Sequence, residues 1–207
     1  MWSVFKQQQQ HLIDRGIVMD KVELTNLLIN KFQYKNYLEI GCESDNNFRQ
    51  IIIETKIGVD PVSGGTHRMT SDDFFVENKI MFDIVLIDGL HISDQADKDI
   101  INSIRFLNNN GTIIMHDCCP VSEEDQRQQR VHDTWNGDVW KSFVKQRANP
   151  NIDSATGNFD WGCGVLRVRL NSEILVVNTE DLHWNNLVKN RKQWLRLMEE
   201  TELLKWI

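Results

Sequence analysis

Residues 37–60 read YLEIGCESDNNFRQIIIETKIGVD, and their pattern decides the fold. Tyr37, Leu38, Glu39 and Ile40 form a short, mostly apolar run that Gly41 ends, as a buried strand entering a tight turn does. Phe48, Ile51 and Ile52 fall at helical spacing, which predicts a helix over residues 46–55. Lys56, Ile57, Gly58 and Val59 then form a second strand that closes on Asp60. Strand, turn, helix and strand make half of a nucleotide-binding βαβ unit. In such a unit an acidic residue at the end of the second strand accepts hydrogen bonds from ribose hydroxyls. Asp60 follows Gly41 by about twenty residues, where that carboxylate belongs.

The chemistry of the turn narrows the ligand. A dinucleotide site needs G-x-G-x-x-G, so that backbone N–H groups can approach a pyrophosphate. Here Gly41 is followed by Cys42, Glu43, Ser44 and Asp45, with no second or third glycine. Carboxylates at that place repel a pyrophosphate but suit a ligand with a ribose and adenine, no phosphate and a positive charge. S-adenosylmethionine, with its ammonium and sulfonium, is such a ligand. Glu39, Gly41, Asp45 and Asp60 are the first candidate cofactor-binding residues.

Working outward, residues 66–70 read as a short third strand, and Ser71, Asp72 and Asp73 as the cap of a helix through Phe74 and Phe75. Ile84, Val85, Leu86 and Ile87 form an unbroken apolar run into Asp88, the mark of a central parallel strand buried on both faces. A helix capped by Ser93 or Asp94 follows, with Ala96, Ile100, Ile101, Ile104 and Leu107 as its apolar face, and residues 108–111 stop it. Thr112, Ile113, Ile114 and Met115 make another buried strand, ending on His116 and Asp117. Ligands of open α/β sheets bind beyond the carboxyl ends of the strands, so these polar endings should meet in one crevice.

Upstream, residues 20–32 read as an amphipathic helix with Asp20 as N-cap, while the polar run Gln7, Gln8, Gln9, Gln10 carries no assigned function. Downstream, residues 121–136 are polar and charged, a lid or acceptor loop holding Arg127, Arg130, His132 and Asp133. Residues 137–148 follow as a helix, then an antiparallel hairpin around Gly157 and Asn158, a short strand over 174–177, and one tryptophan-rich helix over 183–207. Trp135, Trp140 and Trp161 have faces that could stack on a sugar, with core packing the default for most of them. The expected architecture is α/β: a Rossmann-like doubly wound sheet, mostly parallel with a C-terminal antiparallel hairpin. It is expected to form one domain over residues 1–207, with an N-terminal helical region over 1–35.

A net charge of −7 and a pI near 5.4 argue against a nucleic-acid partner or an anionic-membrane surface, both of which need a basic footprint. No apolar run has the length of a membrane span, and MWSVFKQQQQ lacks the apolar core of a signal peptide, so a cytoplasmic location is expected. Cys42, Cys118, Cys119 and Cys163 contain no C-x-x-C pair and read as reduced, buried packing residues.

With its motifs LEIG, GVDP, MTSDDFF, FDIVLIDGLH and GTIIMHDCCP in this order, the chain resembles the class I S-adenosylmethionine-dependent methyltransferases over residues 36–170. More narrowly it is similar to the small branch found beside or fused to glycosyltransferases, those of chloroviruses included, and related to the macrolide-sugar O-methyltransferases. The resemblance implies that Glu39 and Gly41 line the methionine end, Asp60 the ribose, and Ser71 and Asp72 the adenine edge. Asp88 would form the floor between cofactor and acceptor, and His91 would be the general base. Those relatives hold magnesium through the aspartate matching Asp88 and an acidic pair at the next strand end. That pair is His116 and Asp117 here, so Asp88 and Asp117 are the metal-ligand candidates, while an imidazole replaces one hard oxygen.

The implied acceptor is a sugar or glycan hydroxyl, on a rhamnose-like deoxysugar first, and the implied partner a glycosyltransferase. Two alternatives stand beside it: a metal-dependent catechol-type O-methyltransferase, and a non-catalytic nucleotide-sugar-binding partner of a glycosyltransferase. The chemistry agrees with methyl transfer. A sulfonium methyl is already activated, whereas a sugar hydroxyl is a poor acid, so a neutral histidine in reach would supply on the order of 10²–10⁴ in rate. An unperturbed pKa of ~6.5 would leave His91 mostly neutral near pH 7. Asp88 or Asp117 would orient its ring, and His116 is a further catalytic candidate.

Overall fold

The structure is a computed structural model that describes residues 19–131 and 133–207; the glutamine run at 7–10 and His132 lie outside the described residues. One seven-stranded sheet runs through it in the order β2-β1-β3-β4-β6-β5-β7. Its strands are β1 (Asn36–Ile40), β2 (Thr55–Val59), β3 (Phe82–Ile87), β4 (Leu107–Met115), β5 (Ile152–Gly157), β6 (Cys163–Val168) and β7 (Leu197–Met198). The first four are mutually parallel, and β6 then runs antiparallel to both β4 and β5. This is the predicted mostly parallel, doubly wound sheet with its late hairpin.

Helices cover both faces. The helix α1 (Lys21–Phe32) is capped as predicted, its Asp20 side chain accepting from the Glu23 N–H at 2.8 Å. It buries Leu24, Leu27 and Leu28 in a cluster with Tyr37, Ile84, Leu86 and Ile114. On the opposite face, α2 (Ser71–Glu77), α3 (Ser93–Arg105) and α4 (Val139–Arg147) pack Phe74, Ile100, Trp140 and Phe143 against Leu38, Val85 and Ile113. Burying such a side chain contributes roughly 1.5–3 kcal/mol. The unbroken apolar run of β3 is thus used on both its sides.

Several local expectations are corrected. No α-helix forms over 46–55; only the 3₁₀ turn Phe48–Gln50 is present. Asn46 and Asn47 compete with helix formation, and the isoleucine triplet that follows is β-branched. The backbone groups a helix would satisfy find side chains instead. Lys56 Nζ donates to the carbonyls of Phe48 at 2.7 Å and Ile51 at 3.1 Å, and Asn26 clamps Gln50 O and Ile52 N. The third strand shrinks to one bridge between Val59 and His67, because the chain turns back at Gly64 and Gly65.

Thr70, not Ser71, caps α2, and α3 has no side-chain cap of its own: Asp138 accepts from its Ser93 N–H at 2.7 Å. That helix ends at Arg105, so residues 108–111 belong to β4, and Ile101 of its predicted apolar face is exposed. Residues 174–177 form no strand; they are tied to the end of α4 through Leu175 N and Arg147 O. The C-terminal helix is two helices, α5 (Trp184–Trp194) and α6 (Glu200–Trp206), with β7 between them. Arg196, at φ +44°, pairs with Asp153 at 3.0 Å and Glu173 at 3.2 Å, and a capping box of Glu199 and Glu202 starts the second helix. Cys42, Cys118, Cys119 and Cys163 are free and buried, as read from the sequence.

Candidate functional site

The ends of β1 to β4 open on one cleft of about 920 Å³. Of the sequence-predicted residues, Gly41, Asp60, Ser71, Asp72, Asp88, His91, His116 and Asp117 line it. The other two stand behind it. Glu39 is fully buried, accepting from the Tyr37 hydroxyl at 2.5 Å, and burial pushes its carboxyl up to about 7. Asp45 takes the third-glycine place with φ +63°, a conformation aspartate tolerates, and its carboxylate accepts from Gly65 N at 2.6 Å. The turn therefore keeps its shape without the missing glycines.

Gly41 is required by contact. A Cβ there would lie 2.1 Å from the Asp88 carbonyl oxygen, so the turn after β1 is pressed against the end of β3. Asp60 holds two loops together, its carboxylate accepting from the backbone N–H groups of Glu43 at 2.9 Å and of Val62 and Ser63 at 2.8 Å. Burial alone would raise its pKa, but these bonds outweigh it and hold the pKa below the usual range. These three bonds use most of the carboxylate's roughly four acceptor positions, and the Cys42 N–H faces it as well.

At the other end of the cleft, Ser71 donates to Asp99 at 2.6 Å, and Gln95 reaches Ser71, Asp72 and Asp99. Asp99, on α3, escaped the sequence reading. It is buried against the cleft, and desolvation raises its pKa to about 6.

The floor is a charge cluster. His116 Nδ1 lies 3.1 Å from both Asp88 Oδ1 and Asp117 Oδ2. Ionised carboxylates only accept, so a proton on this nitrogen satisfies both contacts, whereas the Lys21 ammonium 3.4 Å away calls for a bare one. Its Nε2 is 3.2 Å from Asp160 Oδ2, close but poorly aligned for a hydrogen bond. Burial opposes charge on the ring, yet Asp88, Asp117 and Asp160 prevail and hold its pKa well above the ordinary histidine value. Asp88 is held well below the usual carboxylate range: burial works against this, while His116, His91 and Lys21 favour the charged form.

His91 Nδ1 donates to the Trp135 carbonyl at 2.6 Å, and the two rings lie tilted by 31° with centroids 4.9 Å apart. The tautomer is thereby fixed, leaving Nε2 at the floor, 3.3 Å from Asp117 Oδ2 and 3.6 Å from Asp88 Oδ1. Burial lowers its pKa, but Asp88 and Asp117 more than offset this and raise it above 6.5. The expectation that His91 is unperturbed is therefore corrected.

Loop 121–136 carries the positioning groups the sequence did not reveal. Trp135 aligns His91, and buried Asn136 donates to Asp117 Oδ1 at 2.6 Å. Lys21 also went unnoticed, because its Nζ reaches Asp88 Oδ2, at 2.7 Å, across 67 residues of sequence. Trp140 stacks on Trp194 in the core, whereas Trp161 is 48 % exposed.

One atom each from Asp88, His116 and Asp117 lies within 4.8 Å of the others, a grouping that could surround a cation. It does not fit magnesium as it stands. Magnesium takes oxygen ligands in near-octahedral geometry, whereas one donor here is an imidazole nitrogen and one Asp88 oxygen is held by Lys21. The cleft does fit a cationic nucleoside: among the described residues, acidic side chains outnumber Lys21 and Arg130 along its walls, and no cluster of basic ones awaits a pyrophosphate.

The sequence matches no protein-family model and no curated protein. Solved structures do match. An SAH complex of an O-methyltransferase from Bacillus cereus is 12 % identical, with 81 % of this chain and 90 % of that chain covered and a TM-score of 0.53. SAH-bound PaMTH1 from Podospora anserina is 14 % identical, with coverage of 80 % and 86 % and a TM-score of 0.55. TomG from Streptomyces achromogenes, an O-methyltransferase of tomaymycin synthesis in complex with SAM, is 11 % identical, with coverage of 80 % and 89 % and a TM-score of 0.53. With the sheet order and the cleft at the carboxyl ends of its parallel strands, these likenesses show that the chain has the fold of the class I S-adenosylmethionine-dependent methyltransferases.

Proposed function

We propose that this chain is an S-adenosylmethionine-dependent O-methyltransferase acting on a hydroxyl of a sugar or glycan, a rhamnose-like deoxysugar first. The observation that carries the reading is His91. Its Nδ1 is tied to the Trp135 carbonyl and its Nε2 faces the cleft floor between Asp88 and Asp117, the arrangement of an oriented base. S-adenosylmethionine would supply a methyl group already activated by its sulfonium.

The protein's own residues do the rest. Asp60 at the end of β2 meets the ribose, and the Ser71, Gln95 and Asp99 network lines the cleft for the adenine edge. Neutral His91 accepts the hydroxyl proton on Nε2 as the new bond forms, and Asp88 and Asp117 stabilise the resulting imidazolium. Asn136 keeps Asp117 in place. Loop 121–136, which brings Trp135 and Asn136 to the site, acts as the acceptor loop.

A neutral sugar suits this site better than a phosphorylated acceptor, because the walls are acidic. Trp135 is the indole that lines the cleft and could meet a pyranose, whereas exposed Trp161 lies outside that lining. A glycosyltransferase that makes the acceptor would be the natural partner. The catechol-type alternative has the Asp88, His116 and Asp117 group in its favour, and the imidazole of His116 in place of an oxygen ligand against it.

The test is a calorimetric titration with S-adenosylmethionine, S-adenosylhomocysteine, NAD and a nucleotide sugar, followed by transfer of labelled methyl to free deoxysugars and catechols. Binding of the first two ligands and label on a deoxysugar are expected. Tighter binding of NAD or the nucleotide sugar would end the methyltransferase reading, and label on catechol alone would end the sugar reading.

A further inference from the structure

Lys21 has no place in the reaction as described, yet it is among the most constrained side chains of the cleft. Its Nζ lies 2.7 Å from Asp88 Oδ2 and 3.4 Å from His116 Nδ1, with 17 % of the side chain exposed. The backbone holds it from both directions. As the first residue of α1 it has an N–H that needs an outside acceptor, and Asp160 Oδ2 supplies one at 2.9 Å. Its carbonyl accepts from the Thr25 hydroxyl at 2.6 Å, and Asp20 caps the same turn. Three segments far apart in sequence thus converge on one residue, Asp160 holding the Lys21 backbone and Asp88 its ammonium.

The cluster around it is rich in carboxylates. Three carboxylates, Asp88, Asp117 and Asp160, face the Lys21 ammonium and the rings of His91 and His116. A divalent cation joining Asp88, His116 and Asp117 would have to displace an ammonium already at hydrogen-bonding distance from Asp88 Oδ2. An ammonium offers three donors and a fixed positive charge on a flexible stem. Such a group can stand for a cation at a carboxylate floor without any metal.

We propose that Lys21 is the resident cation of this site: its ammonium occupies the Asp88 carboxylate, excludes a divalent metal from the Asp88, His116 and Asp117 group, and makes the chemistry of the cleft metal-independent. The part concerning catalysis rests on the methyltransferase reading, whereas the exclusion of metal does not. Lys21 is a positioning residue, acting on the acceptor through Asp88.

The test is manganese binding to the purified chain, followed by the electron paramagnetic resonance signal of free Mn²⁺, with S-adenosylhomocysteine calorimetry run separately. Wild type and Lys21→Arg should both leave Mn²⁺ free at concentrations where Lys21→Ala binds one ion at least tenfold more tightly. Adding Asp88→Asn to Lys21→Ala should abolish that gain. Circular dichroism shows whether each variant is folded. Tight Mn²⁺ binding by wild type would overturn the proposal by itself, and so would a folded Lys21→Ala that gains no affinity. If Lys21→Ala does not fold, wild type and Lys21→Arg decide: a bound ion in either overturns the proposal, and free Mn²⁺ in both supports it. Failure of the cofactor titration with the metal results as expected would sink only the methyltransferase reading. In the transfer assay, EDTA should leave the wild-type rate unchanged within twofold, and Lys21→Ala should be partly rescued by Mn²⁺.

Discussion

Replacing His91 by glutamine is the perturbation that most directly tests the proton-transfer role. The amide can still donate to the Trp135 carbonyl, as His91 Nδ1 does at 2.6 Å, and nearly fills the space of the ring, but it cannot take a proton at the floor of the cleft. A positioned general base contributes on the order of 10²–10⁴ in rate, or about 3–5 kcal/mol of barrier. His91→Gln should therefore lower kcat by about 10²-fold or more. S-adenosylhomocysteine affinity should hold within about twofold, because the proton moves only in the transition state.

The geometry adds a pH signature. Burial pulls the His91 pKa down, but Asp88 and Asp117 pull it up further, so the folded-state value lies above 6.5. A base works when deprotonated, so wild-type kcat should rise with pH along a limb centred above 6.5. In His91→Gln that limb should vanish. The stability contribution has the opposite sense: it is fully present below the unfolded pKa and is lost as pH rises through the folded one. The assay is labelled-methyl transfer to a deoxysugar between pH 5.5 and 9, with binding followed by calorimetry. Near-normal turnover in the variant, or an unchanged acid limb, would refute the assignment.

Three further outcomes are expected. Asp60→Ala removes the ribose acceptor and leaves the N–H groups of Glu43, Val62 and Ser63 without theirs; a hydrogen bond to a charged group is worth about 1.5–3 kcal/mol, so S-adenosylhomocysteine binding should weaken by about 10–10²-fold, and an unchanged calorimetric affinity would exclude the ribose role. Asp99 has its pKa raised from 3.8 to about 6, so its ionisation opposes folding increasingly as pH climbs through that interval, and Asp99→Asn should stabilise the protein by up to roughly 3 kcal/mol above pH 7. A melting-temperature gain equally large at pH 4 would contradict this origin. Gly137→Ala should cut turnover at least tenfold, because φ is +60° there and an added Cβ would lie 1.7 Å from the His91 carbonyl oxygen; wild-type activity in that variant would show that the backbone behind His91 tolerates displacement.

The sequence by itself determined the parallel core of this protein and the positions of its strand ends. Apolar runs such as Ile84 to Ile87 can be satisfied only between two covering layers, and the polar residue that ends each run, Asp60, Asp88 or His116, must then lie at the sheet's carboxyl edge. Turn chemistry was legible for the same reason: Gly41, at φ +89°, and the carboxylates after it are local facts. Periodicity misled where backbone groups had other partners. Phe48, Ile51 and Ile52 have helical spacing, but Lys56 and Asn26 claim the carbonyls and the N–H that a helix would have used. The tryptophan-rich C-terminal segment broke at Arg196 because ion pairs to Asp153 and Glu173 hold its left-handed turn.

Only the tertiary structure decided how the site is charged. Lys21 meets Asp88 across 67 residues, Asn136 reaches Asp117, Trp135 fixes the ring of His91, and Asp160 faces His116. None of these pairings leaves a period or a motif, since each depends on where separate segments end in space. Protonation follows from them: burial and the distances between charges set whether His91 and His116 hold a proton, and neither quantity exists until the chain has folded.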